Sequence, residues 1–203
     1  VRDPDRSSRG YVASRNRMDL GFLDTLLVWL KTWASIVPLD ALMDDAGKGW
    51  RVALTFDDGY VDNLRSALPL LEKHNAPMTW FVCTRFVEAP NALPWWDLID
   101  YIRSRVRGRL TFSCDGECFE YNLWWSDERK RLRREQRSRF YDASLEARRR
   151  RQDALEAAVR QAIGSENLPP NGFARSQEVA RTASSPWVTI GGHTHTHQNL
   201  AAC

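Results

Sequence analysis

Apolar positions recur at helical spacing over residues 19–34, where Phe22, Leu26, Leu30 and Trp33 fall on one stripe, and this predicts an amphipathic helix. A short Ile36-Val37 run follows, and Pro38-Leu39-Asp40-Ala41-Leu42 predicts a second helix start with proline in its first position. Residues 51–56 alternate in part, as a strand does, and Asp57-Asp58-Gly59 ends the run. Over residues 63–74, Leu64, Leu68 and Leu71 share a helical face, with Pro69 set against an unbroken helix. Residues 78–84 read as the next strand. Strand, helix and strand in this order predict an α/β protein with parallel pairing.

The rhythm changes over residues 94–170. A Trp95-Trp96-Asp97 element comes first, and Cys114-Asp115-Gly116-Glu117-Cys118 then joins two alternating runs as a β-hairpin. A basic helical stretch over residues 127–163 follows, opened by Ser126 and stopped by Gly164. A helix over residues 177–182 and a strand over residues 188–190 resume the alternation, so the block between reads as an insertion. No internal repeat interrupts this order.

With 203 residues and 43% hydrophobic content the chain can build one sizeable core, and its net charge of +3 demands no polyanionic partner. Arg129-Lys130-Arg131 and Arg148-Arg149-Arg150-Arg151 invite a nucleic-acid reading. Glu128, Glu135, Asp142, Glu146, Asp153 and Glu156 break that field, and a solvated helical face is the better account. The longest apolar run, Leu26-Leu27-Val28-Trp29-Leu30, falls well short of the roughly 20 residues that span a bilayer. Cysteines at 83, 114, 118 and 203 lack paired zinc-ribbon spacing, and Cys114 and Cys118 read as two half-buried thiols rather than a disulfide. Trp95 and Trp96 read as packing anchors before a sugar-stacking wall. Compartment and oligomeric state are left open.

Two clusters carry the chemistry: Thr55-Phe56-Asp57-Asp58-Gly59-Tyr60 and Gly192-His193-Thr194-His195-Thr196-His197. One carboxylate and two imidazoles suffice for a zinc-like ion with an open position for water, and the second carboxylate is then free to act as base. Neighbouring residues on a regular strand point to opposite faces, so both aspartates serve one site only if the strand has turned, which Gly59 permits. A continuous strand through the histidines would put all three on one face, whereas a helical turn would group His193 with His197 and turn His195 away. Gly191 and Gly192 favour the strand ending first, and with it the second arrangement.

The TFDDGY run followed by a His-Thr-x-x-His element resembles the polysaccharide deacetylases, the NodB-homology proteins of carbohydrate esterase family 4. Residues 51–87 and 186–200 carry the resemblance. It implies an incomplete, distorted (β/α) barrel with a hairpin-plus-helices insertion at about residues 94–170, and residues 1–203 as a partial deacetylase domain. It implies Asp57 as catalytic base and Asp58, His193 and His197 as metal ligands. The implied cofactor is a divalent ion, zinc first, with cobalt, nickel or manganese as alternatives. The implied activity is removal of N-acetyl groups from a polysaccharide or oligosaccharide; an O-acetyl esterase or amidase on the same scaffold, or a non-catalytic carbohydrate-binding relative, are the alternatives. The family's catalytic acid, substrate-binding arginine and aspartate-tryptophan element are expected beyond Cys203, and the 203-residue segment alone is expected to be inactive.

Overall fold

The structure, a computed structural model, describes residues 18–44, 49–89, 91–164 and 168–200. Its elements are mixed α/β, and the chain divides into two compact units, residues 1–90 with 172–197 and residues 91–171 with 198–203. In the first unit, Asp19 caps helix α1 (Leu20–Leu30) by accepting the Gly21 and Phe22 N–H groups at 3.0 and 3.2 Å. The buried stripe is Leu23, Leu27 and Leu30, while Phe22 is 59% exposed. Both stripes are apolar in sequence; the one that meets Leu71, Met78 and Trp80 in the core prevails. The helix ends at Leu30 because residues 34–36 form strand β1 (Ala34–Ile36), parallel to β2 (Trp50–Val52).

The helix expected from Pro38 is a single 3-10 turn, Asp40–Met43. The strand expected over 51–56 is divided at Ala53 between β2 and β3 (Leu54–Phe56). Pro69 reshapes the next helix: Asn63–Ala67 is a π turn, and α2 (Leu68–Lys73) starts so that Pro69 sits in its first turn, where no N–H is required. His74 Nε2 and Lys73 Nζ meet Asp24 Oδ1 at 2.6 and 3.0 Å, tying α2 to α1, and His74 before Lys73 holds the Asp24 carboxyl below its ordinary value. Strand β4 (Met78–Val82) and the short helix α3 (Thr84–Glu88) follow.

The second unit opens with α4 (Trp95–Arg105), of which the sequence pattern reveals only the Trp95-Trp96-Asp97 start. The hairpin is present as β5 (Arg109–Cys114) and β6 (Glu117–Asn122), with Asp115 (φ 51°) and Gly116 (φ 79°) as a two-residue turn. In this register Cys114 lies opposite Glu117, and Cys118 opposite Ser113. Cys114 is therefore buried and Cys118 exposed, on opposite faces, so neither thiol is half-buried. Cys203 lies outside the described residues. The basic stretch is two helices, α5 (Ser126–Tyr141) and α6 (Leu145–Ile163), because Ser144 accepts the Ala147 N–H and starts a new one. Gly164, at φ 62°, stops it. Trp95 stacks on Phe140 at 5.2 Å and Trp96 is buried, so both are packing residues.

Back in the first unit, α7 (Ser176–Thr182) leads to β7 (Val188–Gly192), and the three strands order as β3-β4-β7, all parallel. Residues Met78, Thr79, Trp80 and Val82 of β4 are buried, as a central parallel strand requires. At Gly191 a side chain would meet the Phe81 ring at 2.5 Å, which explains the glycine there. Among the described residues no helix is long and apolar enough to cross a membrane.

The observed face of α1 predicts that Leu27→Ala lowers stability by about 2–5 kcal/mol in urea unfolding, whereas Phe22→Ala stays within roughly 0.5 kcal/mol. The opposite ranking would place the Phe22 stripe inside.

Candidate metal centre

The strand that carries the two aspartates stops at Phe56, and the chain turns within three residues. Gly59 N–H donates to the Asp57 carbonyl at 2.9 Å around Asp58 at φ 70°, a γ-turn with a strained, positive-φ centre. Two neighbours hold the turn: Cys83 N–H donates to the Asp58 carbonyl at 3.1 Å and Ala174 N–H to the Gly59 carbonyl at 3.0 Å. Gly59 itself sits at φ 95°, which a side chain would strain, and a Cβ there would press on Val82 Cγ1 at 3.1 Å. The turn separates the carboxylates. Asp57 is exposed, while the Asp58 side chain keeps 18% of its surface.

The histidines follow β7. His193 N–H donates to the Val82 carbonyl at 2.9 Å, so the β4–β7 ladder runs one residue past the strand. Thr194 and His197 then take φ values of 60° and 54°, and the segment is a bent loop, neither a continuous strand nor a helical turn. The bend nevertheless groups His193 with His197, their rings 4.9 Å apart, and turns His195 away. His195 lies with Nδ1 2.7 Å from Thr84 Oγ1, and its carbonyl accepts the Arg85 N–H at 3.0 Å.

Residues Cys83, Thr84 and Arg85 thus clamp both loops. The Cys83 thiol donates to the His193 carbonyl at 3.1 Å while its N–H holds the Asp58 turn. Burial, with the Asp58 charge adding to it, pushes the thiol up to about 12, so it remains a donor. Sequence reasoning counts Cys83 only among the cysteines; the signal it passes over is a small polar side chain immediately after the central strand.

Asp58, His193 and His197 offer ligand atoms that all lie within 4.8 Å of one another. His193 Nε2 and His197 Nε2 stand 3.5 and 3.4 Å from Asp58 Oδ1, which is buried and has no hydrogen-bond partner. An orphaned buried carboxylate oxygen is costly. Around a tetrahedral ion with bonds of about 2.0–2.1 Å, ligand atoms stand about 3.3–3.4 Å apart, so the donor set and its two spacings to Asp58 Oδ1 fit a zinc-like divalent ion. Burial raises the Asp58 carboxyl above its ordinary value, opposed by His197 and His193 and reinforced by Asp57. Asp57 is not among the three grouped residues; with Asp58, Leu54, Phe56 and Tyr60 it lines a cavity of about 440 Å³, the size of a small-molecule site.

Residues 44–111 match the polysaccharide deacetylase family model. The resemblance carried by the TFDDGY run is therefore shown, over a segment that includes Asp57, Asp58 and Cys83 and stops short of the histidines. No curated protein sequence gives a significant match. Among solved structures, the chain is similar to a de-N-acetylase from Aggregatibacter actinomycetemcomitans at 13% identity and a TM-score of 0.39, covering 100% of this chain and 94% of that one. It is also similar to IcaB from Ammonifex degensii at 19% identity and a TM-score of 0.34, covering 96% and 85% of the two chains. Streptococcus pyogenes deacetylase PplD in complex with acetate is similar at 15% identity and a TM-score of 0.33, covering 95% and 86%. Likenesses this distant carry no weight in assigning residues.

Because burial lifts the Asp58 carboxyl above its unfolded-state value, its favourable contribution is complete below the ordinary carboxylate range and is lost as pH rises through the lifted value. Asp58→Asn should therefore stabilise the metal-free protein at neutral pH, by on the order of 1 kcal/mol, and flatten that decline. Chemical unfolding from pH 4 to pH 8 checks this; a less stable variant at neutral pH contradicts it. His195→Ala removes the Thr84 anchor and should weaken zinc affinity by roughly 10–100-fold in a competition titration while leaving stoichiometry unchanged.

Proposed function

We propose that this protein is a metal-dependent carbohydrate N-deacetylase whose ion is held by Asp58, His193 and His197 and whose base is Asp57. The observation that carries the proposal is Asp58 Oδ1, buried without a hydrogen bond and facing two imidazole nitrogens at 3.4 and 3.5 Å. The deacetylase family match over residues 44–111 supports the acetylated-carbohydrate substrate. The three parallel strands are then part of a distorted (β/α) barrel, and residues 91–171 an insertion within a single deacetylase domain.

A divalent ion at such a site polarises an acetamido carbonyl and acidifies water. Zinc suits two imidazoles and one carboxylate best, with cobalt, nickel or manganese as substitutes. The protein's own residues do the rest. Asp58, with His193 and His197, would hold the ion, the carboxylate offsetting part of its charge. Asp57, exposed at the cavity and outside the ligand set, takes a proton from the attacking water and holds it at its carboxylate. The γ-turn favours this division: Asp58 lies against the imidazoles and Asp57, the more exposed of the two, stays outside the ligand set. Thr84 and Cys83 keep the two loops in register.

A base and a ligand fail differently. In the intact protein, Asp57→Asn should retain about one ion per chain and lose roughly 10²–10⁴-fold in acetate release from N-acetylglucosamine oligomers, whereas Asp58→Asn should lose the ion itself. Near-normal turnover in Asp57→Asn would remove it from the mechanism, and full metal occupancy in Asp58→Asn would remove that residue from the site.

A further inference from the structure

The charges of α5 separate by face. Arg131 is engaged by Glu128 at 2.7 Å and by Glu135 at 3.7 Å, and Arg139 by Glu117 at 2.8 Å, all on the side of the helix that meets the hairpin. On another face, Lys130, the neighbouring pair Arg133 and Arg134, and Arg137, each three or four residues from the next turn's charge, line with Arg103 of α4 a groove of about 560 Å³. Arg103 is paired with Asp100 and Lys130 with Asp127, whereas Arg134 and Arg137 are exposed and have no ion-pair partner among the described residues. The acids that break up the basic run in the sequence are thus largely absent from this groove. Asp142 is the one carboxylate in its lining, beside Ser138 and a Tyr141 that is 53% exposed.

We propose that the α4–α5 groove binds an acidic carbohydrate chain, its anionic groups held by the guanidinium ions and a sugar ring laid on Tyr141. Charges repeat along the helix about once per turn, near 5.4 Å, which suits a polymer with an anion on successive units rather than one small ion. The exposed aromatic ring offers a face to a sugar, and Asp142 and Ser138 can accept hydrogen bonds from hydroxyl groups. A lone exposed aromatic is a poor platform for successive nucleobases, so nucleic acid fits less well. A groove likewise suits a chain better than a flat lipid surface. The sugar component rests on the deacetylase proposal; the preference for an anion rests on the groove alone.

The probe is a labelled galacturonate hexamer, titrated into the intact protein by fluorescence anisotropy at low and high salt. A neutral chitin hexamer, single-stranded DNA of matched charge and phosphatidylglycerol vesicles form the parallel arms. The hexamer should bind with an affinity that falls as salt rises. The paired substitutions Arg134→Glu and Arg137→Glu should weaken it by on the order of tenfold or more, and the paired change to Gln by less, with unchanged melting midpoints. Absent hexamer binding at low salt, undiminished affinity in both paired variants, or tighter binding of the DNA or the vesicles would overturn the proposal. Acetate release from the neutral chitin hexamer is read in the same preparations. Its absence with hexamer binding intact counts against the deacetylase proposal, and its presence with binding lost counts against the groove alone.

Discussion

The hydrogen bonding of β4 on both of its edges is the constraint from which the candidate site follows. Parallel partners Phe56 and Trp80 on one side, and Val82 and Gly192 on the other, bring the C-terminal ends of β3 and β7 to the same end of one strand. What leaves β3 is Asp57-Asp58, and what leaves β7 is His193. Residues more than 130 apart in the chain become neighbours without any direct bond between their strands. The ladders continue past the strands, through Cys83 N–H to the Asp58 carbonyl and His193 N–H to the Val82 carbonyl, so both loops inherit the precision of the sheet.

That precision is obtained against resistance. Asp58 and His197 both take positive φ values that non-glycine residues adopt rarely, and Asp58 carries a buried oxygen with no hydrogen bond. The backbone around them is correspondingly over-determined: Cys83, Ala174 and Arg85 each donate an N–H to one of the two loops. A cation between the imidazoles and Asp58 would offset the desolvation that the folded chain otherwise bears. Strain and unmet polarity concentrated in one small region, with strong scaffolding about it, mark it as a candidate functional site.

Much of this was legible in the sequence, and the failures have physical causes. The order of strands and helices around the TFDDGY run could be read because the partly alternating run at 51–56 ends at Asp57-Asp58-Gly59 and is followed by leucines at helical spacing and a second strand-like run. The grouping of His193 with His197 apart from His195 could also be read, although a bent loop achieves it where a helical turn was expected. The inward face of α1 could not: Leu23-Leu27-Leu30 and Phe22-Leu26-Leu30 are equally apolar, and only the partner surface decides. The split of residues 51–56 between two sheets and the clamp at Cys83 depend on tertiary pairing, which leaves no local signature. The charge segregation of α5 was hidden because acids adjacent in sequence lie on a different helical face.

The central claim is that Asp58, His193 and His197 hold one divalent ion while Asp57 stays free. The most direct measurement is a crystal structure of the zinc-loaded protein with anomalous scattering recorded at the zinc edge. The account predicts one strong peak about 2.0–2.2 Å from a carboxylate oxygen of Asp58 and from Nε2 of both His193 and His197, with Asp57 outside bonding distance. A peak bonded to Asp57 or to His195, or no peak at this position, would contradict it.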